Sequence, residues 1–470
     1  EHFNSPSETQ NDSFKSVSRY FDRITRPEQI LTSLPQAINV MLDPADCGPA
    51  VISMSQDVQG EAYDYPEIFF EEKIHEIRRI HPDPNQIQKA ADKLKQSKQP
   101  IIISGGGVLY SEAEEEISAF AKKHNIPVTA TVMGIGCMNK DDPYYISAIG
   151  CLGEGSSNNL ATDTDLALAV GTKLGDFTTG SWTNFENENF QLVSINTSRF
   201  DTTKHRSTPV VSDAKIGLQE LSKALGDWKA PDNWYQRSIE ERNKWDEYVA
   251  KESGPTNQEL PSYAHAVGAV YRNSDPSDIV VTAAGGLVGE VVQIWKPKEL
   301  NTFETEWGFS CMSYEISGAL GIKMAKPNQD VIVFVGDGSY LLQNSDIYSS
   351  VLYDKKLIIV VCDNGGHMVI NRLQLAKGGN EYLCNLNAAR ATNVQFVDFE
   401  AHAKSMGANG ETVKSISELE AAFKRAKESD KTYVISMKTD GYEWLEGTAF
   451  WESPTLQVDN TKGKKLALNE

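Results

Sequence analysis

The sequence has little cysteine. Its six residues (Cys47, Cys137, Cys151, Cys311, Cys362, Cys384) form no CxxC pair and no zinc-type spacing, so neither a disulfide framework nor a structural zinc module is expected. No apolar run approaches the roughly 18 residues a membrane helix needs. Positive charge is the scarcer sign. With 45 Lys and Arg against 65 Asp and Glu, the formal net charge is −20, which argues against nucleic acid or an anionic membrane surface as partner. GxGxxG, internal repeats, an initiator Met and a leader pattern are absent too. Reduced cysteines and no signal peptide point to the cytoplasm. What remains is 40% hydrophobic over 470 residues, a soluble globular composition too long for one core, so two or three domains are expected.

The densest signal lies at 331–364, VIVFVGDGSYLLQNSDIYSSVLYDKKLIIVVCDN. Val331–Val335 and Leu357–Val361 are near-continuous apolar runs, the pattern of parallel strands covered on both faces. Leu341–Tyr353 between them has helical length, giving one βαβ unit. Asp337 and Asn364 then emerge at carboxyl ends of strands, where open α/β sheets bind ligands. A carboxylate, an amide oxygen and a nearby carbonyl suit Mg²⁺, with a phosphate completing its shell. Gly336 and Gly338 allow close approach of that phosphate, and Ser339 opens a helix whose free N–H groups attract anions. An ordinary Asp-Gly turn is the alternative for a lone GDG; the βαβ setting and the second oxygen ligand favour the metal.

Elsewhere the same alternation recurs. EHFNSPSETQND reads as a loop, followed by a helix at Pro27–Leu42 and a strand at Ala50–Met54. After a charged linker, the strand Pro100–Ser104, the helix Ser111–His124 and strands at Ile126–Thr129, Leu166–Val170 and Leu192–Asn196 make a second doubly wound unit. Its Gly105–Gly107 reads as a strand-to-helix turn rather than a nucleotide loop. Pro231–Pro261 reads as a polar connector with a helix at Trp234–Lys251. Strands Ile279–Thr282 and Tyr433–Met437 belong with the GDG unit. The fold class is therefore α/β, with doubly wound parallel-sheet domains.

GDG and, one βαβ unit later, Asn resemble the thiamine diphosphate (ThDP) motif. Glu306–Ala325 (EWGFSCMSYEISGALGIKMA), Ala283–Gly289 (AAGGLVG), Trp295–Asn301 (WKPKELN) and Asp57–Ala62 (DVQGEA) extend the likeness over nearly the whole chain. They resemble the acetolactate-synthase-like superfamily, in its branch of 3D-(3,5/4)-trihydroxycyclohexane-1,2-dione hydrolases of myo-inositol catabolism. The resemblance implies residues 1–65 as the end of a pyrimidine-binding domain whose front is missing, 84–228 as a central domain, 229–261 as a linker, 262–441 as the diphosphate- and Mg²⁺-binding domain, and 442–470 as a tail.

It also implies roles. Asp337, the Asn364 side chain and the Gly366 carbonyl would hold Mg²⁺. Gly336, Gly338, Ser339, His367 and Met368 would meet diphosphate from one side, and Ala284, Gly285 and Gly286 from the other. Met312 would wedge between the cofactor's rings, with the Ser310 carbonyl orienting its 4′-amino group. The family's activating glutamate has no counterpart here. His367 and Glu306 are the candidate proton carriers, and Asn371, Arg372 and Gln374 candidate hydroxyl contacts. The implied reaction is hydrolytic C–C cleavage of a cyclic 1,2-dione to 5-deoxyglucuronate, in a homodimer or homotetramer with the site at the subunit interface. A carboligase of the acetolactate-synthase type and a non-catalytic ThDP-binding protein are the two rivals.

Overall fold

The structure, a computed structural model, describes residues 2–5 and 7–451; residues 452–470 of the tail lie outside the described residues. Two six-stranded all-parallel sheets dominate it. The second runs in the order Phe303–Thr305, Ile279–Thr282, Val331–Gly336, Ile358–Asp363, Tyr433–Lys438, Asn409–Val413. Its strands are apolar on both faces for a simple reason. Ile332 and Phe334 enter one buried cluster while Val331, Val333 and Val335 enter another, so alternate side chains leave water on opposite sides. Each such side chain contributes about 1.5–3 kcal/mol on burial. Cys362 lies among them, its thiol pushed up by burial and by the nearby Asp337 and Asp363 carboxylates; it is a core residue.

Strand order decides where a ligand can sit. Ile279–Thr282 comes first in sequence and lies between the second and third strands. The winding therefore reverses beside it, leaving a crevice between its carboxyl end and that of Val331–Gly336. Ala283–Gly286 and Gly336–Ser339 flank that crevice.

The central sheet runs Thr208–Val211, Gln191–Asn196, Leu166–Val170, Pro100–Ser104, Val128–Ala130, Tyr145–Ala148. It has its own reversal between Pro100–Ser104 and Leu166–Val170, but the chain itself fills it. A Cβ on Gly107 would lie 2.6 Å from Gly171 Cα, and one on Gly105 would strike the Gly171 carbonyl. These glycines let two strand-end loops cross in contact.

Three sequence expectations shift. The expected helix Leu341–Tyr353 is two pieces, Asp337–Leu342 and Ser345–Leu352. Asn344 Nδ2 donates to the Tyr340 carbonyl (3.2 Å), and a side chain competing for backbone in this way interrupts a helix. The expected N-terminal loop holds a small hairpin, Phe3–Ser5 with Glu8–Thr9, and a 3₁₀ helix, Gln10–Val17. Asp12 organises it by accepting the Thr9 N–H (2.7 Å) and pairing with Arg23 (2.9 Å). Finally, the polar connector helix Asp232–Glu252 is packed rather than free. Trp234, Ser238, Glu241, Trp245 and Val249 form its buried stripe, at helical spacing, and Trp234 Nε1 donates to the Pro100 carbonyl (2.8 Å).

Candidate active site

Gly336 pairs with Cys362 across neighbouring strands, so Asp337 and Asn364 stand one and two residues beyond the same rung. Asp337 opens the helix Asp337–Leu342 and is 7% exposed. Burial, with the Asp363 carboxylate beside it, pushes its carboxyl up to about 7, against N–H groups of Gly338 and Gly366 that favour the charged form. The Asn364 Oδ1 is buried and has no hydrogen-bond partner. A buried acceptor left bare costs about 1–3 kcal/mol, so this oxygen suits a ligand role. Among the described residues no group of three or more His, Cys, Asp or Glu could hold a metal. A cation here therefore needs the Asn364 amide and a backbone carbonyl beside Asp337, the hard-oxygen set that Mg²⁺ accepts. The residues fit the ion.

The turn after Asn364 is tightly held. Gly365 and Gly366 have φ +78° and +144°, conformations that favour glycine. A Cβ on Gly366 would strike the Cys384 carbonyl, because the segment at 384–386 grips the turn. There His367 N–H donates to Cys384 O (2.7 Å) and Leu386 N–H to Gly365 O (2.9 Å). Asp363 braces it from below, accepting the Gly365 N–H (3.0 Å) and pairing with Lys438.

Gly338, His367 and Met312 meet. A Cβ placed on Gly338 would lie 2.9 Å from His367 Cε1 and 3.5 Å from Met312 Cε. Three segments far apart in sequence thus share one wall, and glycine keeps it open. His367 is exposed and Met368 buried. Opposite, Gly285 has φ +78° and nothing within 4 Å of its Cβ position, whereas a Cβ on Gly286 would strike the Trp444 ring. Ser310, at φ +52°, donates its hydroxyl to the Ala283 carbonyl (3.0 Å), tying the Met312 loop to the Ala284 loop.

Glu306 is tied into its own loop. Its carboxylate accepts the N–H groups of Phe309 (2.9 Å) and Cys311 (2.7 Å). Burial acts to raise its carboxyl, but these N–H groups and that of Gly308 outweigh it and hold it below the ordinary value. It stays ionised and braces its own loop. Arg372 packs over the Trp444 ring (5.1 Å), and Asn371 Nδ2 donates to Glu381 (2.8 Å). The Oδ1 of Asn371 and the Oε1 of Gln374 are buried without partners.

Sequence reasoning missed Glu315, Glu290 and Trp444. Glu315, 1% exposed, accepts from the Ser339 hydroxyl (2.8 Å) and the Ala284 N–H (3.3 Å). Glu290, 3% exposed, accepts the Leu445 N–H (3.1 Å). The available signal was one acid inside each of two largely small and apolar helices, GGLVGEVVQI and YEISGALGIKMA.

The chain is similar to known proteins. Residues 87–221 fit the family described as thiamine pyrophosphate enzyme, central domain, and residues 283–437 the thiamine pyrophosphate enzyme, C-terminal TPP binding domain. The chain is 36% identical to a 3D-(3,5/4)-trihydroxycyclohexane-1,2-dione hydrolase of Halalkalibacterium halodurans, over 98% of this chain and 76% of the relative. The like-named protein of Shouchella clausii is 37% identical over 98% of this chain and 77% of its own. That of Bacillus subtilis is 36% identical over 94% and 74%. The crevice between Ala284 and Asp337 thus lies in a TPP-binding domain, and the chain belongs to the thiamine pyrophosphate enzymes, in the family of the 3D-(3,5/4)-trihydroxycyclohexane-1,2-dione hydrolases.

Proposed function

We propose that this protein is a ThDP- and Mg²⁺-dependent hydrolase opening a cyclic polyol dione, 3D-(3,5/4)-trihydroxycyclohexane-1,2-dione, at a C–C bond. Water supplies OH to one carbonyl carbon, which becomes the carboxylic acid, and H to the carbon that separates from it, so the ring opens. Asp337, the Asn364 side chain and the Gly366 carbonyl hold the cation. Ala284, Gly285 and Gly286 on one side, and Gly336, Gly338, Ser339, His367 and Met368 on the other, frame the diphosphate. Met312 and the Ser310 carbonyl position the rings. Bound ThDP supplies a nucleophilic carbon and an electron sink for C–C cleavage. The chain's own residues orient it, exclude water behind it, and provide His367 to move a proton from an exposed imidazole.

The observation that carries this reading is the pair at the strand tips, a buried Asp337 carboxylate beside a bare Asn364 Oδ1. Leu341, Leu342, Tyr348, Leu352 and Tyr353 are exposed apolar side chains just beyond Asp337, which supports a second subunit covering this face in a homo-oligomer. The domain division at 65, 84, 228, 262 and 441 follows the same reading.

Calorimetric titration with ThDP and Mg²⁺, followed by turnover assays, tests it. Wild-type protein binds ThDP only with Mg²⁺ and consumes the dione; Asp337→Ala loses metal-dependent binding. Unchanged binding in that variant refutes the metal assignment. Consumption of pyruvate without dione turnover makes the enzyme a carboligase, and binding without any turnover makes it a non-catalytic ThDP-binding protein.

A further inference from the structure

The crevice is framed by three separate backbone segments: the Ala284–Gly286 loop, the Cys311–Ser313 turn and the Gly336–Ser339 turn. One side chain joins them. Glu315 Oε1 accepts the Ala284 N–H (3.3 Å) while its Oε2 accepts the Ser339 hydroxyl (2.8 Å). The same Ser339 oxygen accepts the Ser313 N–H (2.7 Å), and Ser313 holds φ +83°, an uncommon conformation for a side chain-bearing residue. We infer that Glu315 is a positioning residue of the cofactor site, fixing the spacing of these three segments so that their N–H groups and the Ser339 hydroxyl meet the diphosphate together. The inference rests on the ThDP reading above and assigns a role to a residue outside the expected contacts.

The chemistry of the pair explains why a carboxyl serves. Ser339 has one hydrogen to donate. With Glu315 as acceptor, that hydrogen points away from the crevice. With a neutral side chain that can itself donate, Ser339 accepts instead and its hydrogen turns toward an incoming phosphate oxygen. Burial raises the Glu315 carboxyl, which favours the neutral form, against the opposing bonds from Ser339 and Ala284. Glutamine reproduces it, with an amide oxygen for the Ala284 N–H and an NH₂ group for Ser339.

The test compares Glu315→Ala and Glu315→Gln by calorimetric ThDP titration in saturating Mg²⁺, with melting temperature and steady-state kinetics alongside. Glu315→Ala is expected to weaken ThDP binding at least tenfold, with kcat at saturating ThDP within a few-fold of wild type. Glu315→Gln is expected to keep ThDP affinity within about threefold. Unaltered affinity in Glu315→Ala overturns the inference, and so do equal losses in both variants or a kcat defect with unchanged affinity. Should Glu315→Ala not fold, Glu315→Met keeps the side chain's bulk without its hydrogen bonds, and unaltered ThDP affinity there overturns it equally. If wild-type protein itself binds no ThDP, the functional reading fails instead.

Discussion

Glu290 offers a stability experiment whose sign is set by burial. It lies inside the helix Gly285–Ile294, 3% exposed, with one oxygen on the Leu445 N–H and Oε2 bare. Burial pushes its carboxyl from an ordinary 4.5 up to about 7, with the Leu445 N–H and the Arg372 charge opposing. The neutral form is thus the better fit to the folded state. Its advantage is fully present below the ordinary value and is lost as pH rises through about 7. That difference corresponds to roughly 3 kcal/mol by linkage, each pKa step being worth 1.36 kcal/mol. Glu290→Gln keeps the acceptor for Leu445 and removes the charge. Wild type and variant should therefore melt together near pH 4.5, and the variant should be more stable at pH 8 by up to about 3 kcal/mol. For a domain of this size that is roughly 6–12 °C. Differential scanning calorimetry at the two pH values reads it directly. A melting difference that does not change with pH, or a variant less stable at pH 8, refutes the burial argument.

Other perturbations follow from the same geometry. Gly366→Ala meets both a positive φ and the Cys384 carbonyl, so it should destabilise the turn by about 1–3 kcal/mol and weaken Mg²⁺-dependent ThDP binding; full affinity in a folded variant would contradict the tight-turn account. Glu306→Gln leaves an acceptor for only one of the two N–H groups its carboxylate now takes, so it should lower the melting temperature without moving the pH–rate profile. A displaced acidic limb would mark Glu306 as a proton carrier. Phe334→Ala, at 0% exposure in one of the two clusters that flank its sheet, should cost about 3–5 kcal/mol in denaturant unfolding, and a loss below about 1 kcal/mol would mean the sheet repacks around it.

Some features were legible because they are local. The unbroken apolar runs around Val333 and Ile359 marked doubly covered strands, and the positions of Asp337 and Asn364 just past those runs put them at strand tips. Features set by competition within a few residues were harder. The helix after Gly338 looked continuous from composition, yet Asn344 captures the Tyr340 carbonyl and breaks it. The helix Asp232–Glu252 looked like a solvated connector because its charged residues outnumber the stripe from Trp234 to Val249, which packs against the central domain.

By itself, then, the order of residues settled which segments are buried strands, which turns carry glycine, and which oxygen-bearing side chains follow them, since each depends on neighbours along the chain. Only the folded arrangement decided that Met312, Gly338 and His367 share a wall and that Glu315 spans Ala284 and Ser339, partners 31 and 24 residues away. It also decided that Glu306 braces its own loop. The physical reason is that strand order, with its reversal beside Ile279–Thr282, brings distant loops to one edge, and burial there raises the carboxyls of Asp337, Glu290 and Glu315.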